Sequence, residues 1–102
     1  MSFAAGPRFK VLAIYSSKVE PDHVLFAESA IQFFSGIAAK DHFTFDATSD
    51  WNNLNDVYLR SYQVLMWLND SPHSATERAA FEKYMEGGLI TFGRQRLYIE
   101  TR

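Results

Sequence analysis

No cysteine occurs among the 102 residues. Disulfides, thiolate metal ligands and a cysteine nucleophile are therefore excluded. Long apolar runs are missing too, and nothing approaches the ~18 residues of a membrane-spanning helix. No block of like charge stands out at a net charge of -2 with 22% charged residues. The electrostatic footprint of a nucleic-acid binder is lacking. The only basic cluster, Arg94, Arg96 and Arg102, reads as a solvated end. The expectation is a protein with no membrane and no nucleic-acid partner. The opening MSFAAGPRFK is too short for a signal peptide and has no apolar centre. A cytoplasmic location is expected for the sequence as written. Yet SFAA is the kind of small-residue segment that closes such a peptide, and a start further upstream would make the parent an exported protein.

What is present has a clear rhythm. At 47% hydrophobic and 16% aromatic residues the chain suits a globular core, though a short chain buries a modest share of its surface and is marginally stable. Residues 1–8 read as a flexible lead, broken by Gly6-Pro7. Phe9–Tyr15 is an apolar strand, β-branched at its centre. Pro21 breaks the following loop, and Asp22 is a candidate N-cap for a helix from His23 to Ala39. Ala27, Ala30, Ile31, Phe34, Ile37 and Ala38 give that helix one buried face. Phe43–Ala47 alternates Phe43, Phe45 and Ala47 inward, a short strand suited to an edge. A loop over Thr48–Asn53 leads to a short helix Leu54–Tyr62 with Asn53 as its cap. The aromatics Phe26, Phe33, Phe34, Phe81 and Tyr84 fall at helical spacing and read as core. There are no repeats and no linker.

The most informative stretch follows. Val64–Leu68 is an unbroken apolar run, as in a strand buried on both faces of a parallel sheet. Ser74 and Glu77 have the S-x-x-E spacing of a capping box, which starts a helix at Ser74. Gly87 and Gly88 are read as its end, and Leu89–Phe92 as a further strand. Strands alternating with helices imply an α/β fold, a three-layer sandwich around a parallel, flavodoxin-like sheet. Val11–Tyr15 and Val64–Leu68 are expected side by side at its centre.

WLND followed by ERAAFEKYMEGG resembles the core of the ThuA-like (trehalose utilisation) domain family, and FKVLAIYSS with the later His23 fits the same pattern. TSDWNNLNDVYLRSYQVLMWLND fits the family's second loop, short helix and third strand. The resemblance covers Phe9 to Gly88. It implies a fold like that of class I glutamine amidotransferases, and a carbohydrate-related role. Those amidotransferases use a catalytic cysteine, which this chain lacks. Family domains are about twice this length, and after the Gly pair they continue with a third Gly and a further strand. Here LITFGRQRLYIETR follows instead. The division expected is the lead, the N-terminal half of a ThuA-like domain over residues 9–93, and an atypical tail over 94–102. On that reading the sheet stops after its fourth strand. The tail, with no helix before Leu97–Ile99, packs as a hairpin-like return or not at all. Exposed sheet edge then favours self-association, and the chain alone is inactive.

Right-handed crossovers gather strand ends on one rim. Ser16, Ser17 and Lys18 come from the first loop. Thr48, Ser49, Asp50 and Trp51 come from the second, Asn69, Asp70, Ser71 and His73 from the third, and Gly93 and Arg94 from the fourth. The candidate binding set is Ser17, Lys18, His23, Asp50, Trp51, Asn69, Asp70 and His73. A sugar-type small molecule suits it: Trp51 offers an apolar face, and Lys18, Asn69 and Asp70 offer hydrogen bonds. The plainer alternative is that strand ends are always polar. His23, Asp70 and His73 have the chemistry of metal ligands or of an acid/base pair, but their spacing is no metal signature. Asp46 and Asp50 resemble a carboxylate pair, though turn chemistry explains Asp50 better. Neither Ser16 nor Ser17 has the flanking glycines of a nucleophile elbow. SSKVEPDH has no glycine to cradle a phosphate, so no nucleotide or flavin cofactor is indicated. Two functional classes stay open: a carbohydrate-related protein, and a small flavodoxin-like interaction module without catalysis.

Overall fold

A computed structural model describes residues 9–90 and 97–100. The lead 1–8, most of the tail with Arg94, Arg96 and Arg102, and the expected rim residues Gly93 and Arg94 lie outside the described residues. The elements run β1 (Lys10–Ile14), α1 (Pro21–Asp41), β2 (Thr44–Thr48), a 3-10 turn (Trp51–Asn53), α2 (Asp56–Leu59), β3 (Val64–Trp67), α3 (Ala75–Ile90) and β4 (Leu97–Glu100). The four strands form one parallel sheet in the order β2-β1-β3-β4. This is the flavodoxin-like order, with the chain reversing direction across the sheet between β1 and β3.

The two apolar runs build the centre as expected. Leu12 pairs with Leu65 and Ile14 with Trp67. Successive side chains point to opposite faces, so each central strand feeds two cores. Leu12, Ile14, Leu65 and Trp67 pack with Leu54, Leu59, Tyr62 and Tyr84 beneath α2 and α3. Val11, Ala13, Met66 and Leu68 pack on the other face against Ala27 of α1. Sheet and helices thus form three layers. The small residues Ala27 and Ala38 are the buried positions of α1.

Local chemistry explains the helix ends. Pro21 starts α1, with Glu20 rather than Asp22 at the N-cap; a first-turn proline loses no helical hydrogen bond. Asp22 sits in the first turn, where the helix dipole favours a carboxylate. His42 ends the helix in the left-handed region at φ 60°. The short helix α2 is capped by Asn55, whose side chain accepts from the Tyr58 N–H at 2.9 Å, not by Asn53. At α3 the capping box closes as read. Ser74 Oγ accepts from Glu77 N–H at 3.0 Å, and Glu77 Oε1 accepts from the N–H groups of Ser74 and His73 at 3.4 and 2.9 Å.

Further expectations are corrected. The Gly pair does not end α3, which continues through Ile90, so Leu89 and Ile90 are helical and the expected strand Leu89–Phe92 is not formed there; Phe92 itself lies outside the described residues. The tail makes no hairpin-like return: Leu97–Glu100 is the fourth strand and lies parallel to β3. With α3 as its connection, β3–α3–β4 is long enough for a parallel crossover. Phe26 and Phe33 are not core, being 48% and 63% exposed on α1. Tyr84 is buried, and Phe34 and Phe81 are partly so. At the edge strand β2, Phe45 and the preceding Phe43 pack inward with the α1 layer, whereas Ala47 is exposed.

Candidate functional site

The rim is organised by one buried amide. Ser16 and Asn69 follow the carboxyl ends of β1 and β3, and both are buried. A buried polar group without a partner is costly, so each must be satisfied. Asn69 Oδ1 accepts from the Ser16 N–H at 2.7 Å, and Asn69 Nδ2 donates to the Ser16 carbonyl at 2.9 Å and the His23 carbonyl at 3.2 Å. Asn69 therefore ties β1, β3 and the first turn of α1 together at the point where the strand order reverses. Both of its amide hydrogens are engaged in this work.

The open space lies to one side, above β1 and β2. A cleft of about 250 Å³ is lined by Ser16, Ser17, Lys18, Ser49, Asp50, Trp51 and Asn52. Its walls are two short loops. In the first, Ser16 Oγ accepts from the Lys18 N–H at 3.1 Å, which folds the chain back and leaves Ser17 and Lys18 exposed. In the second, Asp50 Oδ1 accepts from the Asn52 N–H at 3.0 Å and starts the 3-10 turn. Thr48 Oγ1 accepts from the Asp50 N–H and from Asn53 Nδ2, each at 3.1 Å.

Trp51 joins the loops to the core. Its ring lies nearly parallel to the buried Trp67 at 6.0 Å, and its indole N–H donates to the Tyr15 carbonyl at 3.2 Å. The indole is thereby fixed in orientation before any ligand arrives.

A second polar group forms where β3 leads into α3. His73 Nε2 lies 2.5 Å from Asp70 Oδ1, and the same oxygen accepts from the Ser71 N–H at 2.9 Å. Arg78 donates to the His73 carbonyl. The His73 ring remains largely exposed. A carboxylate that orients an imidazole is an arrangement suited to proton transfer.

The eight expected residues thus fall into groups. Ser17, Lys18, Asp50 and Trp51 meet in the cleft. Asp70 and His73 meet each other outside its lining. Asn69 acts on backbone groups, and His23 enters through its carbonyl while its side chain is exposed. Among the described residues no three His, Asp or Glu side chains are grouped to hold a metal ion. Asp46 is separated in role from Asp50, since its Oδ2 accepts from the buried Tyr62 hydroxyl at 2.7 Å. Burial and then the Asp46 hydrogen bond push the Tyr62 phenol well above its ordinary pKa. Asn52 was missed as a lining residue; the Asp-x-Asn spacing of Asp50 and Asn52, which is turn chemistry, was its only sequence signal.

Residues 10–93 match the ThuA family, described as trehalose utilisation. The chain belongs to the ThuA family. A crystal structure of a ThuA-like protein from Bacteroides uniformis superposes on it with a TM-score of 0.81 at 37% sequence identity. The match covers 98% of this chain and 38% of that ThuA-like chain. No curated protein matches. Among the described residues, no ThuA-domain helix is long and apolar enough to cross a membrane.

Proposed function

We propose that the cleft above β1 and β2 binds a sugar-type small molecule, and that the chain serves carbohydrate utilisation of the trehalose kind. One observation carries this reading: a tryptophan held rigidly by a ring stack and an N–H bond lines a cleft whose other residues are hydroxyl, amide and charged groups. A sugar presents apolar C–H faces and a fringe of hydroxyls, so it asks for this combination. Lys18 donates to hydroxyl oxygens, and Asp50 and the serines accept from hydroxyl protons. The family description supports the same ligand class. The chain spans 38% of the length of its solved relative. Catalysis by the longer family protein is therefore proposed to draw on further residues, with this chain binding and not turning over sugar by itself.

A second reading, a non-catalytic binding module, is favoured by the commitments of the rim. The Asp50 carboxylate caps a turn and the Asn69 amide ties backbone, so neither is poised for proton transfer. Titration with trehalose, followed by tryptophan fluorescence, tests the ligand class. Saturable quenching that Trp51→Ala abolishes and Lys18→Ala weakens is the expected result. Quenching that is absent with trehalose and with other di- and monosaccharides contradicts it and leaves the binding module.

A further inference from the structure

Helix α1 carries two stripes, and the fold uses one. Its core stripe faces the sheet through Ala27, Ile31, Phe34 and Ala38. On the opposite side Asp22, Phe26, Ser29, Phe33, Gly36 and Lys40 recur at intervals of four, three, four, three and four, and all six are exposed. That alternation keeps residues on one narrow line of a helix, the spacing of a coiled-coil seam. Among the described residues no side chain buries this seam, which is exposed along its length.

The seam is self-complementary when reversed. Pairs equidistant from Ile31 in the sequence set Phe26 opposite Gly36, Phe33 opposite Ser29 and Asp22 opposite Lys40. Large faces small twice on each side of the centre, and at each end an acid faces a base. Antiparallel seams pair alternate positions in this way. Gly36 adds an independent observation. It sits inside a helix, where glycine is among the least favourable residues. Yet a Cβ built on it would meet nothing within 4 Å. Among the described residues no packing requires glycine there, whereas a partner's Phe26 seated on it would.

We infer that two copies of this chain pair through α1, antiparallel, with Phe26 and Phe33 of each copy set against Gly36 and Ser29 of the other. The interface is isologous, as a two-fold dimer requires. It is distinct from the sheet edges at β2 and β4, and it leaves the cleft above β1 and β2 open, since no lining residue belongs to α1.

Sedimentation equilibrium of the chain and its variants tests this. The wild type is expected to form a reversible dimer. Phe33→Glu should be monomeric. Gly36→Leu should weaken dimerisation at least about tenfold while its thermal unfolding midpoint is not lowered, because the space beside Gly36 is open in the monomer. Asp22→Lys and Lys40→Asp should each weaken the dimer, and the double swap should restore it. A chain that stays monomeric throughout overturns the proposal. So does self-association that survives both Phe33→Glu and Gly36→Leu, which would place it on a sheet edge or another surface. A double swap no better than the single changes would overturn the antiparallel register.

Discussion

The Asn69 carboxamide grips the Ser16 peptide from both sides, accepting from its N–H at 2.7 Å and donating to its carbonyl at 2.9 Å. The two residues lie at the carboxyl ends of the two central strands. The crevice where flavodoxin-like sheets place ligands is thus bridged by a side chain, and the open cleft is displaced toward β2.

Asn69→Ala should therefore act on stability first. It strips the Ser16 N–H, the Ser16 carbonyl and the His23 carbonyl of one partner each. Leaving buried groups unpaired costs about 1–3 kcal/mol each, and water reaching the rim will recover part of it. A loss of about 3 kcal/mol is expected in urea unfolding. Asn69→Asp should be no better, since a carboxylate cannot donate to the two carbonyls. A midpoint unchanged in Asn69→Ala would mean that the bridge contributes nothing.

Tyr62 sets the alkaline limit. Its hydroxyl donates to Asp46, and its own carbonyl accepts from the Tyr84 hydroxyl at 2.8 Å. Burial, then the Asp46 bond, raises the phenol pKa in the folded chain. The sign follows from linkage: the unfolded chain ionises first, so this stabilisation is whole below about pH 10 and declines as pH rises toward the folded value. Urea midpoints measured from neutral to strongly alkaline pH should fall above about pH 10. Tyr62→Phe should start lower and show a shallower fall. A parallel fall in both proteins would assign the alkaline loss elsewhere.

The capping box predicts a smaller, local effect. Ser74→Ala removes the acceptor for the Glu77 N–H and should cost about 1 kcal/mol. Ser74→Asp, which keeps an acceptor at the cap, should retain most of the stability. Equal losses in the two variants would show that the side-chain cap is not what fixes the start of α3.

Much of this fold is legible in the residues. Val11–Ile14 and Val64–Leu68 announce buried central strands because no polar residue interrupts them, and Ser74 with Glu77 announces a helix start because the spacing has one mechanical meaning. Gly87 and Gly88 mislead. Two glycines cost a helix about 1 kcal/mol each, which is too little to end one outright. The run LITF that follows is too short to distinguish strand from helix. Phe26 and Phe33 mislead for another reason. Helical spacing marks a stripe without saying whether the stripe faces the chain's own sheet, and α1 has two stripes. The loop residues Lys18, Asp50 and Trp51 could be placed on one rim from topology alone. The role of Asn69 could not, since its partners are backbone groups, one of them in a loop 53 residues earlier in the chain.

The cleft is where a sugar would have to bind. Amide chemical-shift mapping of the isotopically labelled chain, titrated with trehalose, tests it directly. Binding should be weak, in the range of about 1 mM. The shifts should concentrate at Ser16–Lys18 and Ser49–Asn52, together with the Trp51 indole N–H, while the amides of Asp70 to Ser74 stay in place. Shifts centred on Asp70 and His73, or none at saturating sugar, would contradict the assignment of the cleft as the sugar site.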